Sequence, residues 1–256
     1  METIEVARSG GVVTITLNRP AKKNAMNATM WDELSDTFRA INRSDEDRVV
    51  VLTGAGGDFC SGADLWASPD TPRHQLAAMR DVTNVALLLS RLPQPVIAKV
   101  RGFAVGAGCN LALMCDLVLA SETARFSEIF SKRGLSLDFG GSWILPRRVP
   151  LHRAKELAFF ADIIDAAEAD RIGLVNRVVP DDELDALVDD WAQRLVSLPP
   201  IAIAQSKRLL NNAMNVTLEE ALDDEGAAQT VNFGTQDTPE AIRAWAEKRT
   251  PSFKGR

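Results

Sequence analysis

Residues 95–121 read PVIAKVRGFAVGAGCNLALMCDLVLAS, and the order of residue types in that stretch decides the fold. Val96 to Val100 form a short, continuously apolar run of the kind that makes a strand buried on both faces. Gly102-Phe103-Ala104-Val105-Gly106 then turns the chain into a helix of small residues running from Ala107 to Met114, and Leu117 to Ala120 form the next apolar strand. Strand, helix and strand in such short compass require a parallel pairing, so the body is α/β. Upstream, Ile4 to Arg8 and Val12 to Leu17 are β-rich runs joined through Ser9-Gly10-Gly11, which predicts a hairpin. Met30, Leu34, Phe38 and Ile41 recur at helical spacing, Val49 to Leu52 form a strand, and Val82, Val85, Leu88, Leu89 and Leu92 form a helical stripe that stops before Pro93 and Pro95. From about Pro180 the pattern becomes helical to the end, beginning with the stripe Leu184, Leu187, Val188, Trp191 and Leu195. The expected organisation is a body over residues 1–190 and a C-terminal helical region over 191–256.

Bulk composition narrows the partners. The 256 residues are 46% hydrophobic and 25% charged, the range of a globular chain with a substantial core. A formal charge of −6 and a pI near 5.1 give no footprint for nucleic acid or an anionic membrane. The first residues, METIEVARSGG, lack a basic-then-apolar leader, and no run of about 18 apolar residues occurs, so a cytoplasmic protein is expected. Cys60, Cys109 and Cys115 show no CxxC spacing and read as buried thiols, with neither a disulfide framework nor a zinc site. No dinucleotide fingerprint, P-loop or metal-ligand cluster is present, so no cofactor is expected.

Two Gly-rich places can carry chemistry. In Phe59-Cys60-Ser61-Gly62-Ala63-Asp64-Leu65 a turn after a strand can point backbone N–H groups into a cleft. At Gly106-Ala107-Gly108 a helix begins with no side chain larger than methyl, so its N-terminal N–H groups can meet a developing negative charge. Amides from the two segments converging on one oxygen would form an oxyanion hole; such turns are also common as plain structure.

The ordered motifs LNRP (17–20), NAM (24–26), FCSGADL (59–65), residues 95–121, ARFSEIF (124–130), GLSLDFGGSWILPR (134–147) and the ending EKRTPSFKGR resemble the enoyl-CoA hydratase/isomerase, or crotonase, family over nearly the whole chain. That resemblance implies a right-handed spiral of ββα units (the ClpP/crotonase-like fold) with C-terminal helices used in trimerisation. It also implies an acyl-CoA thioester as partner, coenzyme A being part of the substrate, and assembly as a homotrimer or dimer of trimers. Residue by residue, the enolate-stabilising amides fall on Ala63 and Ala107. Around the thioester the resemblance places Lys22, Lys23, Ala25, Asp64 and Leu65, and it places Lys248 on a CoA phosphate, often that of a neighbouring subunit.

The acid–base positions separate the branches of the family. Enoyl-CoA hydratases of fatty-acid β-oxidation use two glutamates, which here correspond to Asn110 and Phe130, and neither side chain transfers a proton at neutral pH. Asp138 matches the aspartate of the isomerase branch, which includes 1,2-epoxyphenylacetyl-CoA isomerases. An enoyl-CoA isomerase with Asp138 as proton shuttle is therefore expected, with a hydratase as the alternative and an acyl-CoA-binding pseudoenzyme as the alternative of another class. Asp138 also has a plain structural reading, as N-cap of a helix beginning near Gly140. A dehalogenase-like use of this aspartate needs an upstream histidine, where this chain has Leu87; His74 reads as solvated. Asp64 and Asp116 read as backbone-bonding residues, and Glu128 as a surface ion-pair partner that shares a strand face with Phe130. The loop from Trp66 to Leu76 and the helix around Ala158-Phe159-Phe160 are expected to shape the acyl end of the pocket.

Overall fold

The computed structural model describes residues 1–65 and 74–256. The expected hairpin is present: β1 (Ile4–Ser9) pairs antiparallel with β2 (Val12–Leu17), and Gly10 and Gly11 turn it at φ 56° and 84°. Asn27 then starts α1 (Ala28–Asn42) by accepting a hydrogen bond from the Met30 N–H. The chain continues through β3 (Val49–Gly54), α2 (Gln75–Ser90), β4 (Val96–Val100), the short strand β5 (Phe103–Val105), α3 (Ala107–Met114), β6 (Leu117–Ser121) and β7 (Arg125–Ser127). Then come α4 (Gly141–Arg148), α5 (Leu151–Phe160), β8 (Ile164–Asp165), α6 (Ala166–Arg171) and β9 (Arg177–Val179). Residues 66–73 of the loop expected to shape the acyl end lie outside the described residues.

The strands form two layers. The larger sheet has the order β1-β2-β3-β4-β6-β9, parallel throughout except for the hairpin. The smaller has the order β5-β7-β8. The chain passes from β4 to β5 and again from β6 to β7, so each turn lays one strand in each layer and the body rises as a spiral. Sequence reading took residues 102–106 as a turn alone. The structure makes Phe103–Val105 a strand, paired with the three-residue β7 on one side and bridged to Cys60 through Ala104 on the other; at three residues it is too short for an alternating pattern to register.

The large sheet is covered on both faces, which is why its strands are continuously apolar. On one side Met30, Leu34, Phe38 and Ile41 of α1, Val85 and Leu89 of α2, and all of α3 up to Leu113 pack against Val13, Ile15, Val50, Leu52 and Ala98. On the other, Leu184, Val188 and Ala192 of α7 (Leu184–Val196) cover Val49, Val51, Ile97 and Leu119. Position 190 falls inside α7, so this helix belongs to the body's core as much as to the helical region. The rest is α8 (Pro200–Asn212), α9 (Leu218–Phe233), where Thr217 and Glu220 form a capping box, and α10 (Asp237–Glu247). Among the described residues no helix is long and apolar enough to cross a membrane.

Asp116 joins the two parts. Its Oδ2 accepts the Val96 N–H at 2.7 Å and pairs with Lys207 Nζ of α8 at 2.7 Å, while Lys207 also donates to the Gln94 carbonyl. With the Lys207 side chain only 10% exposed, removing the carboxylate strands a cation at the junction. Asp116→Ala is expected to cost about 3 kcal/mol, read as a lower urea midpoint with an unchanged slope.

Candidate active site

Backbone pairing brings the two Gly-rich segments together. Cys60 N donates to Phe103 O at 2.8 Å and Val105 N to Cys60 O at 2.9 Å, a parallel bridge centred on Ala104. A second parallel bridge joins Met26 to Ala63 through Met26 N to Gly62 O (2.8 Å) and Asp64 N to Met26 O (2.9 Å). The residue at the centre of such a bridge turns its own N–H to the opposite side, so the Ala63 amide faces away from Met26. Ala107 opens α3, where a helix N–H has no carbonyl four residues back to bond.

Glycine is required at the crossing. Gly62 has φ +102°, and a Cβ there would lie 2.9 Å from the Val105 carbonyl and 3.7 Å from Ala107 N. Gly106 takes φ 55° and ψ −126°, a conformation open to glycine alone. A Cβ on Gly108 would stand 2.3 Å from the Cys60 carbonyl. Added carbon at Gly62 or Gly108 drives the two amide-bearing segments apart, and at Gly106 it would press on Ile129 at 3.3 Å.

Around them lies a cleft of about 430 Å³. Of the residues singled out in the sequence, it is lined by Lys22, Ala25, Ala63, Asp64, Leu65, Ala107 and Asp138. Phe130 lines it too, and sequence reading did not foresee the apolar contributions of Val105, Ile129 and Leu135 or the Arg133 at its rim. Asp64 pairs with Arg19 at 3.0 Å, and Arg19 also donates to the Ala25 carbonyl, so this aspartate braces the wall. Lys23 is not among the lining residues: its ammonium sits 3.5 Å from Asp58 and 4.1 Å from the centre of the Phe103 ring. Lys248, in the left-handed conformation that ends α10, is likewise absent from the cleft of its own chain. His74, expected in a loop, caps α2 by accepting the Leu76 N–H.

The two carboxyls near the cleft differ from their sequence reading. Asp138 does not cap α4. Gly140, at φ 80°, occupies the cap with no side-chain hydrogen bond, and Asp138 supplies only its main-chain oxygen, to Gly141 N at 2.8 Å. Its Oδ1 is buried without a partner among the described residues, and burial pushes the carboxyl up to about 6. Glu128 is no surface residue: it is 2% exposed. A 3₁₀ turn over Ile129–Arg133 starts directly after it, so the two-residue period linking it to Phe130 is broken and Glu128 points inward, away from the cleft that Phe130 lines. Burial raises its carboxyl to about 7, hydrogen bonds from Cys109 and Asn110 oppose that rise, and the charge of Asp138 adds to it. Asn110, fully buried, donates from Nδ2 to Glu128 Oε2 at 3.3 Å and to the Asp138 carbonyl at 3.0 Å. Gly141 makes room for it, since a Cβ there would be 2.4 Å from Asn110 Nδ2. The Gly140-Gly141 pair was the one sequence signal of this contact.

The site thus has two main-chain donor positions, an apolar wall, and two carboxyls among the described lining residues: Asp64, paired with Arg19, and Asp138, which burial pushes up to about 6. Among the described residues no group of three or more His, Cys, Asp or Glu is placed to hold a metal. The family model for enoyl-CoA hydratase/isomerase matches residues 7–256. The chain is 37% identical over 251 residues to a 1,2-epoxyphenylacetyl-CoA isomerase of Escherichia coli (strain K12), covering 96% of each protein. It is 38% identical over 256 residues to a probable enoyl-CoA hydratase of Rhodobacter capsulatus, covering 99% of this chain and 98% of the other. A crystal structure of an enoyl-CoA hydratase from Bacillus anthracis superimposes with a TM-score of 0.94 at 35% identity, covering 100% of both chains. Spiral, paired Gly-rich segments and full-length relatives agree, and the chain belongs to the enoyl-CoA hydratase/isomerase family, with its crotonase fold.

Proposed function

We propose that this member is an enoyl-CoA isomerase that moves a double bond between the 3- and 2-positions of an acyl-CoA thioester, with Asp138 as the only proton shuttle. The observation carrying this reading is that, of the two carboxyls lining the cleft among the described residues, Asp64 is held by Arg19 whereas Asp138 Oδ1 has no partner, while Asn110 and Phe130 stand at the positions of the hydratases' glutamates. The Ala63 and Ala107 amides hold the thioester oxygen. The Asp138 carboxylate takes a proton from C2, and the C–H electron pair becomes the C1=C2 bond of a dienolate as the carbonyl π pair moves onto the oxygen that those amides stabilise; C2=C3 forms when the oxygen pair returns. The same carboxyl returns the proton to C4 as the old π bond opens, so no water enters and none leaves. Lys22, which lines the cleft, and Lys23 beside Asp58 are proposed to serve the CoA portion, as is Lys248 from a neighbouring subunit. The relative named as a probable hydratase keeps hydration as the second reading, for which this site lacks the paired glutamates.

We further propose that the chain assembles as a homotrimer or a dimer of trimers. Leu210, Leu218, Phe233 and Trp245 of α8–α10 are each more than 70% exposed, an apolar surface that a trimer, or a dimer of trimers, would cover. Such assembly would also let Lys248 reach a neighbour's CoA. Light scattering is expected to give at least three protomer masses at micromolar protein; one protomer mass would end this proposal.

Asp138→Asn is expected to melt no lower than wild type at neutral pH, because no cap is lost and a carboxylate disfavoured by burial is removed, and to lower turnover of a 3-enoyl-CoA by at least about 100-fold while binding persists. The raised carboxyl sets the sign of the pH dependence. The base form is depleted below about 6, so wild-type turnover climbs as pH rises through about 6, and Asp138→Asn loses that limb. Wild-type turnover without that limb, or a fully active Asp138→Asn, would overturn the assignment. Ala107→Val adds bulk at the amide that opens α3 and is expected to cost roughly 2.7–4 kcal/mol of transition-state stabilisation, measured as kcat/KM.

A further inference from the structure

Behind the cleft lies a buried group that this mechanism leaves unused. Asn110, Glu128 and Asp138 each keep one side-chain oxygen buried and unpartnered among the described residues: Asn110 Oδ1, Glu128 Oε1 and Asp138 Oδ1. Three orphaned acceptors in one nest are costly, and two belong to side chains already joined by the Asn110 Nδ2 to Glu128 Oε2 contact. A single proton removes both of those two orphans. Carried on Glu128 Oε1, it donates to Asn110 Oδ1 while Asn110 Nδ2 donates back to Oε2, the two-bond pairing of a carboxylic acid with a primary amide. The second N–H of Asn110 remains for the Asp138 carbonyl, where it already lies at 3.0 Å.

We propose that Glu128 is a positioning residue of the active site, which as the neutral acid locks the Asn110 carboxamide and through it the Asp138 segment, and which on ionising releases that lock. The surroundings fit a neutral acid. Glu128 is met from α3 by Cys109 and Asn110, from the segment before α4 by Asp138, and otherwise by Phe126, Leu145, Leu157, Ile164 and Leu174. No cation lies among these residues, and burial, with Glu128 nearby, holds the Cys109 thiol well above its ordinary value, so it stays neutral. The Glu128 carboxyl titrates near 7, above Asp138 near 6, so around neutrality Asp138 is ionised while a large share of Glu128 keeps its proton. Raising the pH through about 7 puts a second negative charge beside Asp138 and leaves Glu128 Oε1 unpaired again.

The proposal rests on the isomerase reading only in its kinetic half, and the test separates the two. Infrared spectra of the ligand-free chain, taken from about pH 5 to about pH 9, are expected to show a carbonyl band of a buried protonated acid that fades as pH rises through the neutral range. Glu128→Gln should lack the component that fades around 7, and Asp138→Asn should keep it while losing any component that fades around 6. If Glu128→Gln removes no such band, Glu128 is ionised throughout and the proposal is wrong, whatever the chain catalyses. In turnover of a 3-enoyl-CoA, wild type should lose activity on the alkaline side of neutrality. Glu128→Leu should lower kcat by up to about 100-fold with little change in KM, since it misplaces the base and leaves the thioester's amides alone. Glu128→Gln, whose amide can pair with Asn110 at every pH, should recover most of that loss and abolish the alkaline limb. An alkaline limb persisting in Glu128→Gln, or a Glu128→Leu enzyme as fast as wild type, overturns the proposal. If no 3-enoyl-CoA is turned over by wild type, the isomerase reading fails and the infrared result alone judges Glu128.

Discussion

Everything at this site depends on one backbone pairing, in which Cys60 exchanges hydrogen bonds with Phe103 and Val105. It fixes the distance between two segments otherwise far apart in the chain, and the free amides of Ala63 and Ala107 are carried by those segments. Such pairing tolerates no intervening carbon. Gly62 and Gly108 lie so close to the partner backbone that a methyl group would meet a carbonyl oxygen, and Gly106 holds a backbone shape closed to other residues. The covered sheet underneath, with α1, α2 and α3 on one face and α7 on the other, holds this crossing rigid. Rigidity matters because donors that must reorient during a reaction give back much of what they contribute.

The second constraint is electrostatic. A carboxyl that has lost its water and gained no cation resists ionisation, and Asp138 and Glu128 are both in this state for the same main reason, burial. Their exposures to the cleft differ, and so do their uses: Asp138 faces the ligand space, while Glu128 is turned into the packed interior. Asn110 touches both, through the side chain of one and the main chain of the other. It thereby ties the chemistry-bearing loop to α3, the helix that begins with the Ala107 amide.

Much of this was legible in the sequence, and the failures have physical reasons. The hairpin, the buried strands and the small-residue helix follow from periodicity and from glycine placement, which act locally. The two Gly-rich segments could be located because close approach of backbones leaves a record in missing side chains, whereas Ala63 and Ala107 within them were assigned from the family resemblance. Glu128 was misread because a period-2 argument was carried across Ser127 into a 3₁₀ turn, and a turn of that kind leaves no pattern over five residues. Asp138 as a cap was a fair local reading, defeated by Gly140, whose left-handed backbone ends the approach to α4 without help from a side chain. Lys23 was placed with the ligand by the family resemblance; its contacts with Asp58 and the face of Phe103 could not be read from the sequence. Long-range pairing of this sort has no signature in one chain.

The division between main-chain and side-chain duties has a further consequence. In the proposed mechanism the oxyanion is held by peptide groups on a scaffold of glycines and alanines, whereas proton transfer falls to a side chain on the loop before α4, with α3 and the turn after β7 beside it. On that proposal a substitution at 110, 130 or 138 changes what is done to the enolate without disturbing how the enolate is held. One architecture of this kind can drift between reactions through a few changes of side chain, each intermediate sequence still binding the same thioester, so new chemistry need not begin from an unfolded or empty site.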